Sequence, residues 1–197
     1  MKYFMSLFLL ILCIGNTNAA VIYSYTGNSY NEVFGDYLTT MNITGSLILD
    51  TKLQSNLVNT EVMVNEFSFS DGINNINSNM ETLSNATFSF STNSSGEIVD
   101  WAIYLFNTPF PMISVGDYNN GIETFGSNQY DSAWVYECKT LGVNGGVCPE
   151  YLDLDNVGRS YNTPGTWDVQ TVPIPMSIWL FLSGGITLIS LGRKFKH

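Results

Sequence analysis

Histidine is nearly missing from this sequence: of 197 residues only His197, the last, is one. Its absence elsewhere removes Ser-His-Asp and Cys-His catalysis, and His-based zinc sites, from everything ahead of the tail. Cysteine is scarce too, and three cysteines with one histidine furnish neither a ferredoxin nor a zinc ribbon. Charged residues make up 12% of the chain, about half of the ~25% usual for globular proteins. Seven Lys and Arg stand against 17 Asp and Glu, a net charge of −10, which excludes a nucleic-acid partner bound through its phosphates. So few Lys, Glu and Arg also exclude a long coiled coil. No Gly-rich loop of phosphate-binding spacing follows a strand and opens a helix, so nucleotide chemistry has no site. No cofactor, no metal and no catalytic residue are expected, and the chain does not read as an enzyme.

What fills the space is asparagine, serine and apolar residues: 21 Asn, 20 Ser and 45% hydrophobic. The apolar residues recur with period two rather than 3.6. Val21 to Tyr25, Ile43 to Leu49, and Glu61 to Ser70 are strand-like, the last with a slip at Asn65-Glu66. Asp71-Gly72 predicts a two-residue hairpin, because that turn needs a positive φ. Ala86 to Ser91 and Ile98 to Phe106 flank Asn93-Ser94-Ser95-Gly96 and predict a second hairpin. Ala133 to Tyr136 and Thr166 to Val169 supply later strands, and 107–130 reads as one long loop. No amphipathic helix longer than about three turns is visible. Short strands without helical crossovers predict a single all-β domain, an antiparallel β-sandwich or jelly roll.

Both ends stand apart from that pattern. Residues 1–19 have the form of a secretory signal peptide, with Lys2, the apolar run Phe4 to Ile14, and small residues Thr17 and Ala19 before the cut. At the other end Val172-Pro173-Ile174-Pro175 breaks regular structure. Met176 to Gly192 then runs 17 residues without charge, followed by Arg193, Lys194 and Lys196. That length is the short end of the ~17–25 residues that span a bilayer, and the basic residues behind it belong on the cytoplasmic side. The segment 172–197 resembles the C-terminal sorting signal of exported Gram-negative proteins called PEP-CTERM, in its VPLPA-type variant. Pro173 and Pro175 match the proline motif, Trp179-Leu180-Phe181 and Ser183-Gly184 the helix, and Arg193-Lys194 the basic end. There is no Pro-Glu-Pro, and Met176 stands where the variant usually has Ala. The resemblance implies an exosortase as processing partner, contact with the inner membrane through the C-terminal helix, and a place in exopolysaccharide or biofilm. An exported domain over 20–171 remains, carried to the cell surface or beyond. All 17 acids lie in residues 20–172 against Lys52, Lys139 and Arg159, a net charge of −14 for the body.

Within the body, Cys138 and Cys148 form an even pair in an oxidising compartment and predict a disulfide. Closing so short a loop stabilises by about 2.5–3 kcal/mol in the chain-entropy model. The acids include any pair a glycoside hydrolase would need, but no spacing identifies one. Asp153 to Gly158 and Asp117 to Gly121 begin like acidic calcium loops and read as turns, since Asp and Asn bond their own backbone there. Trp101, Trp134 and Trp167 form either a sugar-stacking platform or parts of the core. Sequons at Asn42, Asn85 and Asn93 matter only in a host that glycosylates them. The expectation is an exported surface or matrix protein whose body binds polysaccharide or a surface partner. The alternatives are a secreted carboxylate-based glycoside hydrolase and a permanently membrane-anchored surface protein.

Overall fold

The computed structural model describes residues 20–107, 118–127, 129–137 and 156–172. Twelve strands account for the regular structure there: β1 Val21–Thr26, β2 Glu32–Phe34, β3 Thr44–Leu49, β4 Thr60–Glu61, β5 Glu66–Ser70, β6 Asn75–Asn77, β7 Leu83–Thr92, β8 Ile98–Asn107, β9 Tyr118–Phe125, β10 Tyr130–Glu137, β11 Asn156–Tyr161 and β12 Thr166–Thr171. They form a five-stranded sheet, β12-β1-β3-β5-β6, and a seven-stranded sheet, β2-β11-β10-β9-β8-β7-β4. The paired strands run antiparallel. The described residues are all-β, as the period of two predicts.

The alternation places one side of each strand in a shared interior. In β1, Val21, Tyr23 and Tyr25 are buried, while Ile22 and Ser24 between them are not. Leu47 and Leu49, Phe67 and Phe69, and Ile76 extend that face across the smaller sheet. Phe88 and Phe90 with Trp101, Ile103 and Leu105 supply the facing layer. The two meet through aromatic rings: Phe67 lies 5.1 Å from Phe88 and Tyr25 lies 5.7 Å from Trp101, both edge to face. Such pairs add about 0.5–1.5 kcal/mol beyond their buried area. Four tyrosines are buried in this core, and each hydroxyl has a partner. Tyr23 accepts from the Leu53 N–H, Tyr25 and Tyr37 donate to carboxylates, and Tyr30 donates to the Asp71 carbonyl. Burying a phenol is tolerable only on that condition.

Three local expectations change. The slip at Asn65-Glu66 is a full break, with Glu61 on β4 in the larger sheet and Glu66 on β5 in the smaller. Gly72 has the positive φ the turn signal requires, +97°. The hairpin between β5 and β6 nevertheless has four loop residues, Asp71 to Asn74, because the Asp71 side chain organises the turn itself. The long loop over 107–130 contains β9, which pairs with both β8 and β10. Its Tyr118-Asn119-Asn120-Gly121 stretch is strand, as is Asn156-Val157-Gly158 in β11, while Asp117, Asp153 and Asp155 of the two acidic stretches lie outside the described residues. Ladder bonds to neighbours on both sides override the turn preference of Asn and Gly there.

The chain divides into Val21–Gln170 and a second unit made of Met1–Ala20 and Thr171–His197. Of the sorting residues, Val172 is described: it is exposed and donates its N–H to the Ala20 carbonyl at 2.9 Å. Pro173, Ile174, Pro175, Arg193 and Lys194 lie outside the described residues, as do the signal peptide, the C-terminal helix, and Cys138 and Cys148. Among the described residues no helix is long and apolar enough to cross a membrane.

Candidate functional site

Of Trp101, Trp134 and Trp167, two meet. Trp101 is the fourth residue of β8 and Trp167 the second of β12, and their rings lie 6.1 Å apart, edge to face. They line a cleft of about 510 Å3 together with Lys52, Glu97, Thr166 and Asp168. That volume is within the ~300–1,000 Å3 of small-molecule sites. The polar rim is held by the β7–β8 turn: Lys52 donates from Nζ to the Ser95 carbonyl at 3.0 Å, and Asn93 donates to Glu97 Oε2 at 2.7 Å.

Behind the cleft a relay of hydrogen bonds fixes the aromatic wall. Trp101 Nε1–H donates to Thr124 Oγ1 at 2.9 Å, Thr124 donates to Tyr25 Oη at 2.8 Å, and Tyr25 donates to Asp131 Oδ1 at 2.7 Å. The relay crosses from one sheet to the other twice, and it occupies the indole N–H so that Trp101 cannot turn. Trp167 is wedged against Tyr25 at 5.0 Å and Phe90 at 5.7 Å, and its own Nε1 has no partner among the described residues. Both indoles are thus held by packing on strands: Trp101 belongs to the core at 8% exposed, and Trp167 is half-buried against it.

Asp131 ends the relay and is 1% exposed. Burial pushes its carboxyl up to about 6, against the downward pull of the neighbouring Thr124 and Tyr25 hydroxyls. Its Oδ2 has no partner, and a Cβ on Gly27 would collide with that atom, so only glycine fits opposite it. Burial first, and then the Asp131 charge, raise the Tyr25 hydroxyl far above its ordinary value, which keeps the proton on Tyr25. Asp131 lines no part of the cleft; it acts on the cleft only by holding Tyr25, Thr124 and Trp101 in line.

Trp134 is elsewhere. Val157 and Gly121 flank it in register on β11 and β9, and its ring lies over Gly121, where a Cβ would collide with it, 5.6 Å from Phe106 on β8. The three tryptophans therefore form no common platform: Trp101 lies in the core with Trp167 packed against it, and Trp134 stands apart. Sequence reasoning did not find Lys52, Glu97 or Asp168 beside them, nor the relay. No spacing signals a site whose parts are 45 to 66 residues apart. Among the described residues no group of His, Cys, Asp and Glu is placed to hold a metal ion. No family model, no curated protein and no solved structure matches this chain.

Proposed function

We propose that this chain is an exported surface or matrix protein, processed through a C-terminal exosortase-type sorting signal, whose β-sandwich body binds polysaccharide in the Trp101–Trp167 cleft. The sorting part rests on the order of proline motif, apolar run and basic cluster over 172–197. The binding part rests on one observation: two immobilised indoles in a cleft with carboxylate and ammonium groups at its rim. Ring faces stack on the C–H faces of sugars, and Glu97, Asp168 and Lys52 offer partners to hydroxyl groups. Export gives such a site access to matrix polysaccharide.

Two measurements test the two parts. Terminal mass mapping of the protein from a host with an exosortase is expected to show loss of sequence near Pro175; an intact Met176–Gly192 favours a permanent anchor instead. Trp167→Ala is expected to weaken retention on the host's exopolysaccharide at least tenfold, and equal retention of the variant ends the cleft reading. A second reading is supported by Glu97 and Asp168 lining one cleft, as the carboxylates of a glycoside hydrolase must. Release of reducing ends that Glu97→Gln abolishes would favour it.

A further inference from the structure

Ala20 directly precedes β1 and Val172 directly follows β12. Both belong to the unit made of the two chain ends, and the Val172 N–H donates to the Ala20 carbonyl at 2.9 Å. These are also the two boundaries that the sequence marks. The expected signal-peptide cut falls after Ala19, which makes Ala20 the first residue of the mature chain, and the proline motif opens at Val172. β12 is the edge strand of the smaller sheet, beside β1. Five of its six residues are exposed, and the exception is Trp167, packed on Tyr25 and Phe90. The proline motif therefore begins where a lightly held edge strand ends, with no linker between them.

An enzyme that processes a peptide segment takes it extended and bonds its backbone, as edge-strand recognition does. Proline has no N–H to give, so from Val172 to Pro175 only Val172 and Ile174 can donate. Ala20 holds the first of these two donors. While β12 is docked, the enzyme meets a motif with one free backbone donor and no slack ahead of it. Fraying of the strand end restores both, and strand ends open more readily than cores. We propose that the Ala20–Val172 pair is a latch on tail processing: the sorting enzyme acts on chains whose β12 has frayed from β1 or has not yet docked there, and a closed smaller sheet keeps the tail on. This inference rests on the sorting reading of 172–197. It places removal of the tail before final closure of the β1–β12 edge.

Pulse-labelling of the full chain in a host with an exosortase, with loss of the tail followed by mass, tests the latch. Insertion of Gly-Ser-Gly-Ser between Thr171 and Val172 carries the whole motif clear of Ala20. It is expected to speed tail loss about fivefold, the factor that one ladder hydrogen bond supplies. Trp167→Ala leaves the motif and its spacing to the apolar run unchanged but loosens β12, and is expected to speed tail loss as well; thermal melting confirms that both variants are folded. In the purified full chain, hydrogen exchange at the Val172 amide is expected to be slowed about fivefold or more against an unstructured chain. Equal rates of tail loss in the insertion variant and the native chain overturn the latch, as does an unprotected Val172 amide. Faster loss in the insertion variant without any change in folded Trp167→Ala overturns it too, because slack rather than strand docking then sets the rate. A tail that stays on in every variant ends the sorting reading itself, and the latch with it.

Discussion

Asp71 and Asp131 are both buried carboxylates, 0% and 1% exposed, yet they are held in opposite ways. Asp71 lies in its own turn and collects four donors: the Ile73 and Asn74 N–H groups on Oδ1, and Tyr37 Oη and Asn74 Nδ2 on Oδ2. Asp131 lies mid-sheet, where every backbone N–H belongs to the ladder, and side chains alone reach it. One oxygen is served by Tyr25 and the other by nothing. A turn offers a carboxylate free N–H groups; a strand does not. The first residue fastens a hairpin, and the second tethers the wall of the cleft.

Three experiments press on that difference. Asp71→Ala strips four donors of their acceptor, and a loss of roughly 3–4 kcal/mol is expected in urea unfolding, the large end for one substitution. A loss under about 1 kcal/mol would erase the contrast. The second concerns pH. Folding raises the Asp131 carboxyl from its ordinary 3.8 to about 6, so the folded state prefers the proton. Its contribution is complete below pH 4 and is lost as pH rises through 6, on the order of 2–3 kcal/mol. Unfolding midpoints compared at pH 4 and pH 7.5 should show this decline in the native chain and a flatter profile in Asp131→Asn. The smallest effect is expected from Tyr25→Phe, about 1.5 kcal/mol at pH 7, which leaves Asp131 without its Tyr25 partner and Thr124 without its acceptor. The same variant should raise the Asp131 titration midpoint further, followed by carboxyl carbon shifts, since the Tyr25 bond pulls it down.

Strand positions were largely legible because burial of one pleat leaves an alternating trace, as in Val21, Tyr23 and Tyr25. The hairpin around Asn93 to Gly96 was legible because its turn residues are local. β9 was not, since Tyr118-Asn119-Asn120-Gly121 carries turn residues and becomes strand only between β8 and β10. The acidic residues gave no hint of their roles. Asp131 looks like any other Asp until Tyr25, 106 residues earlier, is brought to it.

The sequence by itself determined an all-β body, strongly acidic and nearly free of histidine, because composition and period two are properties of the chain taken locally. Only the tertiary structure decided which tryptophans share a cleft, which buried carboxylate keeps one oxygen unpaired, and which rings line up across strands. Each of those depends on strand order and register, and register is settled by the packing of two whole sheets rather than by any one segment.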